Sequence, residues 1–220
     1  MIRVNTAFDR PDPALVDRLA AYSAATIHEA QGRLGALASA IKPVGPEMSL
    51  CGPAFTVRCA PRDNIMLQVA IAHARPGDVI VVSAGDYAEA GSFGDVLANA
   101  CVAKGLGGLI TDTGVRDTRE LRALGFPVFS RSVSIKGTVK ETIGPMAEPV
   151  LIGGELVRPG TWCARTPTGS WSYAARTWRT SSARPRRGST PKRRTSLPTA
   201  PGRASSRSAA SRPCSRRRAW

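Results

Sequence analysis

No aspartate or glutamate follows Glu155, although the sequence runs to 220 residues. Residues 1–160 hold 16 Lys+Arg and all 16 Asp+Glu, whereas residues 161–220 hold the remaining 15 Lys+Arg and no acid. The net charge of +15 thus sits wholly in the last part of the chain, and the first 160 residues are neutral. Ordinary domains carry about a quarter charged residues of both signs, so this shift marks a boundary near Gly160. Long apolar runs are also missing: no stretch of about 18 such residues occurs, which excludes a membrane-spanning helix. The start, MIRVNTAFDRPDP, carries charge where a secretory signal needs an apolar run, so the expected location is the cytoplasm. Cysteines are few and odd in number (Cys51, Cys59, Cys101, Cys163, Cys214), with no C-x-x-C pair. That pattern argues against a disulfide framework or a zinc site and predicts reduced, mostly buried thiols.

Residues 1–160 read as alternating helix and strand. DPALVDRLAAYSAATIHEAQG places Leu15, Leu19, Tyr22 and Ala25 at helical spacing, as one helix or two short ones, with Asp12 or Ser23 as caps. PAFTVRCA alternates between Gly/Pro flanks and reads as a strand. NIMLQVAIAHA has helical period and stops at the turn Arg75-Pro76-Gly77-Asp78, which leads into VIVVSA. That run is short, β-branched and uniformly apolar, the pattern of a strand covered on both faces. GDVLANACVAKGLGG follows as a helix, GLITDTG as a second buried strand, RDTRELRALG as a short helix and FPVFSRSV as a third strand. The alternation predicts an α/β or layered α+β domain with helices covering a sheet.

Three polar clusters follow the apolar strands: Asp86, Glu89 and Asp95 in GDYAEAGSFGDVL; Asp112, Arg116 and Asp117 in TDTGVRD; Lys136 and Lys140 in SIKGTVKETIG. Ligands of α/β sheets bind outside the carboxyl ends of strands, where helix N-termini offer unpaired N–H groups. Gly94-Asp95-Val96-Leu97 opens a helix, so the Val96 and Leu97 amides are candidate donors to a carboxylate or enolate oxygen. Arg116 offers a planar fork for a carboxylate, and Asp117 an oxygen ligand for a hard divalent cation. Together these suit a 2-oxo acid with Mg²⁺ or Mn²⁺. The same residues also fit blander roles, Asp95 as a helix cap and Arg116–Asp117 as a surface ion pair. His28 and His73 lie among apolar helical neighbours and read as structural. A Schiff-base role for Lys136 or Lys140 would need a buried lysine of lowered pKa, and a solvated loop fits the segment better.

The segment GSFGDVLANACVAKGLGGLITDTGVRDTRELRALGFPVFSRSVSIKGTVKETIG resembles the core of the class II pyruvate aldolases. These cleave 4-hydroxy-4-methyl-2-oxoglutarate and 4-carboxy-4-hydroxy-2-oxoadipate in aromatic degradation, and share their fold with the RraA regulators of ribonuclease E. The resemblance runs from about Ala24, in SAATIHEAQGRLG, to Gly160, in GGELVRPG. It implies an α/β fold of the RraA-like, layered β/β/α swivelling-domain type over residues 1–160. It further implies a homotrimer, a divalent metal (Mg²⁺ or Mn²⁺), and cleavage of a 2-oxo acid to pyruvate with oxaloacetate decarboxylation as a side activity. The family's G-D-x-L turn matches Gly94, Asp95, Val96 and Leu97; its substrate-gripping arginine matches Arg116; its metal-holding aspartate matches Asp117. Asp95 corresponds to the residue that handles the proton with a metal-bound water, and Asn64 to a polar residue near the substrate. The RraA branch implies an alternative, a non-catalytic module that inhibits a ribonuclease.

The resemblance stops between Gly160 and Thr161, where TWCARTPTGSWSY replaces the family's Asp, valine strand, acidic turn and second valine strand. Reading degenerate codons from the third base of codon 160, with G or C at free positions, gives Asp-Val-Val-Arg-Ala-Asp-Ala-Asp-Gly-Val-Val-Val. That is the missing continuation, so residues 161–220 read as a basic, disordered tail produced by the gain or loss of one base near codon 160. RPRRGSTPKRR then says little about nucleic acid, which is not an expected partner, and no membrane partner is expected either. The chain as written is expected to be poorly folded or inactive. A well-folded trimer of the unaltered chain with full aldolase turnover would refute the reading.

Overall fold

The computed structural model describes residues 6–165 and 171–174. Two short helices come first, α1 (Pro13–Ala20) and α2 (Ala24–Ala30). Both expected caps are made: Asp12 Oδ1 accepts from the Ala14 N–H at 3.0 Å, and Ser23 Oγ from the Thr26 N–H at 3.1 Å. A seven-stranded sheet follows, in the order β1 (Lys42–Pro43), β7 (Val128–Ser130), β5 (Gly108–Thr111), β3 (Val79–Ser83), β2 (Leu50–Arg58), β11 (Trp162–Arg165), β12 (Trp171–Ala174). β2, β3, β5 and β7 run parallel, while β1, β11 and β12 pair antiparallel at the two edges. Helices α3 (Ile65–His73), α4 (Asp95–Ala103) and α5 (Thr118–Leu124) connect the parallel strands. Every residue of β3 is buried, as a uniformly apolar strand covered on both faces requires. Phe55, Leu109 and Phe129 are fully enclosed around it, each worth about 1.5–3 kcal/mol of burial.

The feature that positions the site is a second sheet built on the ends of the first. After β3, β5 and β7 the chain steps sideways into β4 (Gly91–Phe93), β6 (Gly114–Val115) and β8 (Ser132–Val133), which pair in parallel in the order β4-β6-β8. FPVFSRSV, expected as one strand, is therefore two strands in two sheets. The step falls at Arg131, whose side chain pairs with Asp86 at 2.6 Å and whose N–H bonds the Thr113 carbonyl at 3.3 Å. GLITDTG divides in the same way, at Asp112 and Thr113. A hairpin of β9 (Val150–Ile152) and β10 (Glu155–Val157) follows β8 in the chain.

The sheet runs past the boundary placed at Gly160. Residues Trp162–Arg165 pair antiparallel with Leu50–Pro53, and Trp162, Cys163 and Ala164 are buried. β2 would otherwise present an unpaired edge there, and backbone pairing is indifferent to most side chains. The tail was expected to be disordered from residue 161, but residues 161–165 are ordered against β2; apart from these and the backbone of Trp171–Ala174, it lies outside the described residues. Among the described residues no helix is long and apolar enough to cross a membrane.

The N-terminal segment is latched across the sheet. Arg10 donates from Nε and Nη2 to both carboxylate oxygens of Asp78, at 2.8 and 2.7 Å, and stacks 4.0 Å over the Phe8 ring. Phe8 in turn meets Phe55 edge-on at 5.7 Å. Asp78 is fully buried, so removing the guanidinium strands a charge. Arg10→Ala is expected to lower unfolding stability by about 3–5 kcal/mol, read from urea denaturation; a loss below about 1 kcal/mol would contradict the latch.

Candidate functional site

The step between sheets brings the second polar cluster against the first. β6 lies beside β4, so Arg116 follows directly on the residue paired with Phe93, and its N–H donates to the Phe93 carbonyl at 2.8 Å. Asp117 adopts a left-handed backbone (φ 55, ψ 41) at the start of α5, and its Oδ2 accepts from the Asp95 N–H at 3.2 Å. Gly94 sits in the angle between them. A Cβ there would overlap Asp117 Oδ2 and come within 3.0 Å of Arg116 Cγ, so the present placement of these two side chains needs the bare glycine backbone. Gly94, Asp95, Arg116 and Asp117 thus form one cluster, as the resemblance implies.

The electrostatics of the cluster are open to solvent. Arg116 Nε lies 3.5 Å from Asp117 Oδ2, with side chains 44% and 33% exposed, a geometry worth little as a salt bridge. That contact uses only Nε, which leaves the two Nη nitrogens for a second carboxylate. Asp95 Oδ1 accepts from the Val96 N–H at 2.7 Å. The Val96 amide, expected as a substrate donor, is therefore engaged by its neighbour; Leu97, whose amide lies one residue further into the first turn, packs its side chain against the core. A hard divalent cation takes one or two carboxylates and keeps several waters. Asp117 fits that demand: it is one-third exposed, and its Oδ1 takes part in neither contact described for Oδ2. Among the described residues no group of three or more His, Cys, Asp or Glu side chains is gathered as an enclosed metal site would need.

Asn64 is placed less directly. It is buried at the start of α3, and its Nδ2 donates to the carbonyl of Ser92, two residues before Gly94, at 3.0 Å. The residue before it, Asp63, was given no role by the sequence reading. Its carboxylate accepts from the N–H groups of Ile65 (2.9 Å), Glu141 (2.8 Å) and Thr142 (2.7 Å). Burial opposes ionisation of Asp63, but these donors outweigh it and hold the carboxyl below its ordinary range. Asp112 is buried too, accepting from the Ala84 N–H (2.6 Å), the Asp86 N–H (3.2 Å) and the Ser83 hydroxyl (3.2 Å). Here burial prevails and pushes the carboxyl up. Neither role was legible, because all the donors but the Ile65 N–H lie about 30 to 80 residues away in sequence.

Lys136 pairs with Glu89 at 2.6 Å, and the hydrogen bond to that carboxylate holds its ammonium above the usual lysine range. A Schiff-base lysine needs the opposite shift. Burial pushes the thiols of Cys59, Cys101 and Cys163 up to about 12, consistent with inert core cysteines.

The sequence and the arrangement of its strands have known counterparts. The Aldolase/RraA family model, described as RraA-like, matches residues 13–166, and the chain belongs to that family. A protein of Halalkalibacterium halodurans provisionally named 4-hydroxy-4-methyl-2-oxoglutarate aldolase is 37% identical over 134 residues, covering 61% of this chain and 64% of its own length. A protein of the same provisional name from Burkholderia multivorans is 29% identical over 133 residues, 60% of this chain and 80% of the relative. Among solved structures, Streptomyces coelicolor RraAS2, described as an unusual member of the RNase ES inhibitor RraA family, superposes with a TM-score of 0.64 at 27% identity. That match covers 76% of this chain and 87% of the other.

The cluster depends on the bare Gly94 backbone. Gly94→Ala is expected to push Asp117 and Arg116 away and lower whatever affinity the site has for oxalate, a planar mimic of pyruvate enolate, about tenfold or more, since displacements of about 1 Å cost up to 10². Titration calorimetry reads this, and unchanged oxalate binding by a folded Gly94→Ala protein would contradict it.

Proposed function

We propose that the site performs retro-aldol cleavage of 4-hydroxy-4-methyl-2-oxoglutarate or 4-carboxy-4-hydroxy-2-oxoadipate, releasing pyruvate, with oxaloacetate decarboxylation as a side activity. The observation that carries this reading is the meeting of the Arg116 fork, the Asp117 carboxylate and the Gly94–Asp95 turn in one solvent-reached cluster. The provisional names of the relatives support it. Asp117 would hold Mg²⁺ or Mn²⁺, largely through waters, and such an ion when bound supplies Lewis acidity to a developing enolate.

The chain's own groups divide the remaining work. Arg116 grips the pyruvyl carboxylate or keto oxygen and stabilises charge that grows as the C3–C4 bond breaks. Asp95, or a water that it orients, takes the proton of the 4-hydroxyl; the C3–C4 electron pair moves into the enolate, and C4 becomes the carbonyl of the second 2-oxo acid. Protonation of the enolate carbon then yields pyruvate. In oxaloacetate the bond that breaks is the one to the departing CO₂, and the same enolate results. Asp95 Oδ1 already holds the Val96 N–H, which fixes the carboxylate over the helix start and leaves Oδ2 for the proton. Assembly as a homotrimer, and loss of the natural frame after Gly160, belong to the same proposal.

RraAS2 favours a second reading, binding and inhibition of a ribonuclease without chemistry. Pyruvate release measured with and without a chelator separates the two. With the frame restored, Arg116→Ala is expected to lower kcat/KM for pyruvate release by about 10²–10³, the usual cost of one oxyanion donor. Turnover within a few-fold of the parent would overturn the assignment, and inhibition of a ribonuclease by a protein that releases no pyruvate would establish the alternative.

A further inference from the structure

Asn64 stands at the N-cap of α3 but does not cap it; no side-chain cap bond is made from this position. Asparagine is among the strongest N-cap residues, so a cap asparagine turned elsewhere departs from local preference. Asp63 does the local work, holding the Ile65 N–H at 2.9 Å. The Asn64 amide is thereby released, and it points across to β4, with Nδ2 on the Ser92 carbonyl at 3.0 Å. One turn further along α3, Gln68 Nε2 donates to Asn64 Oδ1 at 3.2 Å.

An asparagine amide has an accepting and a donating end of nearly the same shape, and only its partners decide which way it faces. Here Ser92 offers a carbonyl and can take only the donating end. Gln68 is the partner that accounts for the other end. Were Asn64 reversed, its Oδ1 would oppose the Ser92 oxygen in a buried place, a cost of about 1–3 kcal/mol. Ser92 leads through Phe93 into Gly94, so the Asn64–Ser92 bond ties α3 to the strand that delivers the Gly94–Asp95 turn. The second Nδ2 hydrogen remains after Ser92 is served.

We infer that Gln68 is a positioning residue: Ser92 selects the orientation of the Asn64 amide, and Gln68 Nε2 closes its Oδ1 end, so that the pair holds β4 and the seat of the Gly94–Asp95 turn against α3. The inference rests on the function proposed above for its consequence in turnover, but not for the orientation itself.

Gln68→Glu keeps the shape and reverses the hydrogen-bonding sense, because an ionised carboxylate only accepts. Gln68→Met removes the bond without reversing it. In the full chain labelled with ¹⁵N, the Asn64 side-chain amide resonances are expected to move in Gln68→Glu near pH 8. They should return toward the parent position as pH falls and the new carboxyl, whose pKa burial raises above about 4.3, becomes a donor. Gln68→Met should give a change that does not depend on pH. With the frame restored, pyruvate release relative to the parent at each pH should fall about tenfold in Gln68→Glu near pH 8 and recover on acidification. Asn64 resonances that are the same in Gln68→Glu and Gln68→Met at every pH would overturn the inference. If the frame-restored parent releases no pyruvate, the functional proposal fails, while the amide resonances still decide the role of Gln68.

Discussion

The Asp112 carboxylate sits at the joint on which the site depends. β5 ends at Thr111 and β6 begins at Gly114, so Asp112 lies where the chain leaves one sheet for the other. Its oxygens take the Ala84 and Asp86 amides and the Ser83 hydroxyl, all at the end of β3 and in the turn after it. One buried side chain thus fastens two neighbouring steps together. Asp112 is almost wholly enclosed, and burial pushes its carboxyl up even against these donors.

The close approach of the three steps has a second requirement. At Gly114 a Cβ would stand 2.7 Å from the Ala90 carbonyl, 2.7 Å from Ser132 Oγ and 2.8 Å from the Ala88 carbonyl, so three segments meet around a position that tolerates no side chain. Ser132 Oγ donates to Ala88, and Arg131 and Lys136 pair with Asp86 and Glu89 across the same gap. The first polar cluster is consumed largely in holding these turns; Asp95 alone of its acids reaches the candidate site. That division of labour explains why carboxylates of similar sequence context, Asp86 and Asp95, end in different roles.

Much of the main sheet was legible because its strands are short, β-branched and apolar, and because glycine and proline punctuate them. VIVVSA and NIMLQVAIAHA became β3 and α3 with little change at their ends. The small sheet was not legible. GSF, GV and SV carry no periodicity, and they form strands only because β3, β5 and β7 deliver them side by side. At the site, Gly94, Arg116 and Asp117 were found from local pattern and resemblance. Asp63, Gln68 and Asp112 were not singled out for any role, since their meaning lies in partners on other elements or, for Gln68, in the orientation of a neighbour that itself departs from its usual role.

The residues after Gly160 test how much a sheet edge demands of its sequence. In the shifted frame, positions 162 and 163 are valines, as are positions 170 to 172, with an Asp- and Gly-containing turn between. The structure places strands at Trp162–Arg165 and Trp171–Ala174, nearly the same spans. The shifted frame thus offers extended, β-branched runs where the given residues already pair as strands. β2 dictates this outcome, since its edge offers a row of N–H and C=O groups at fixed spacing and any extended segment can answer them. Trp162 finds room between Ile27 and Ala164, and its Nε1 meets Cys51 Sγ at 3.1 Å. The edge can therefore be paired by residues that bring no acid: every carboxylate side chain that the site can draw from this chain lies at or before Glu155.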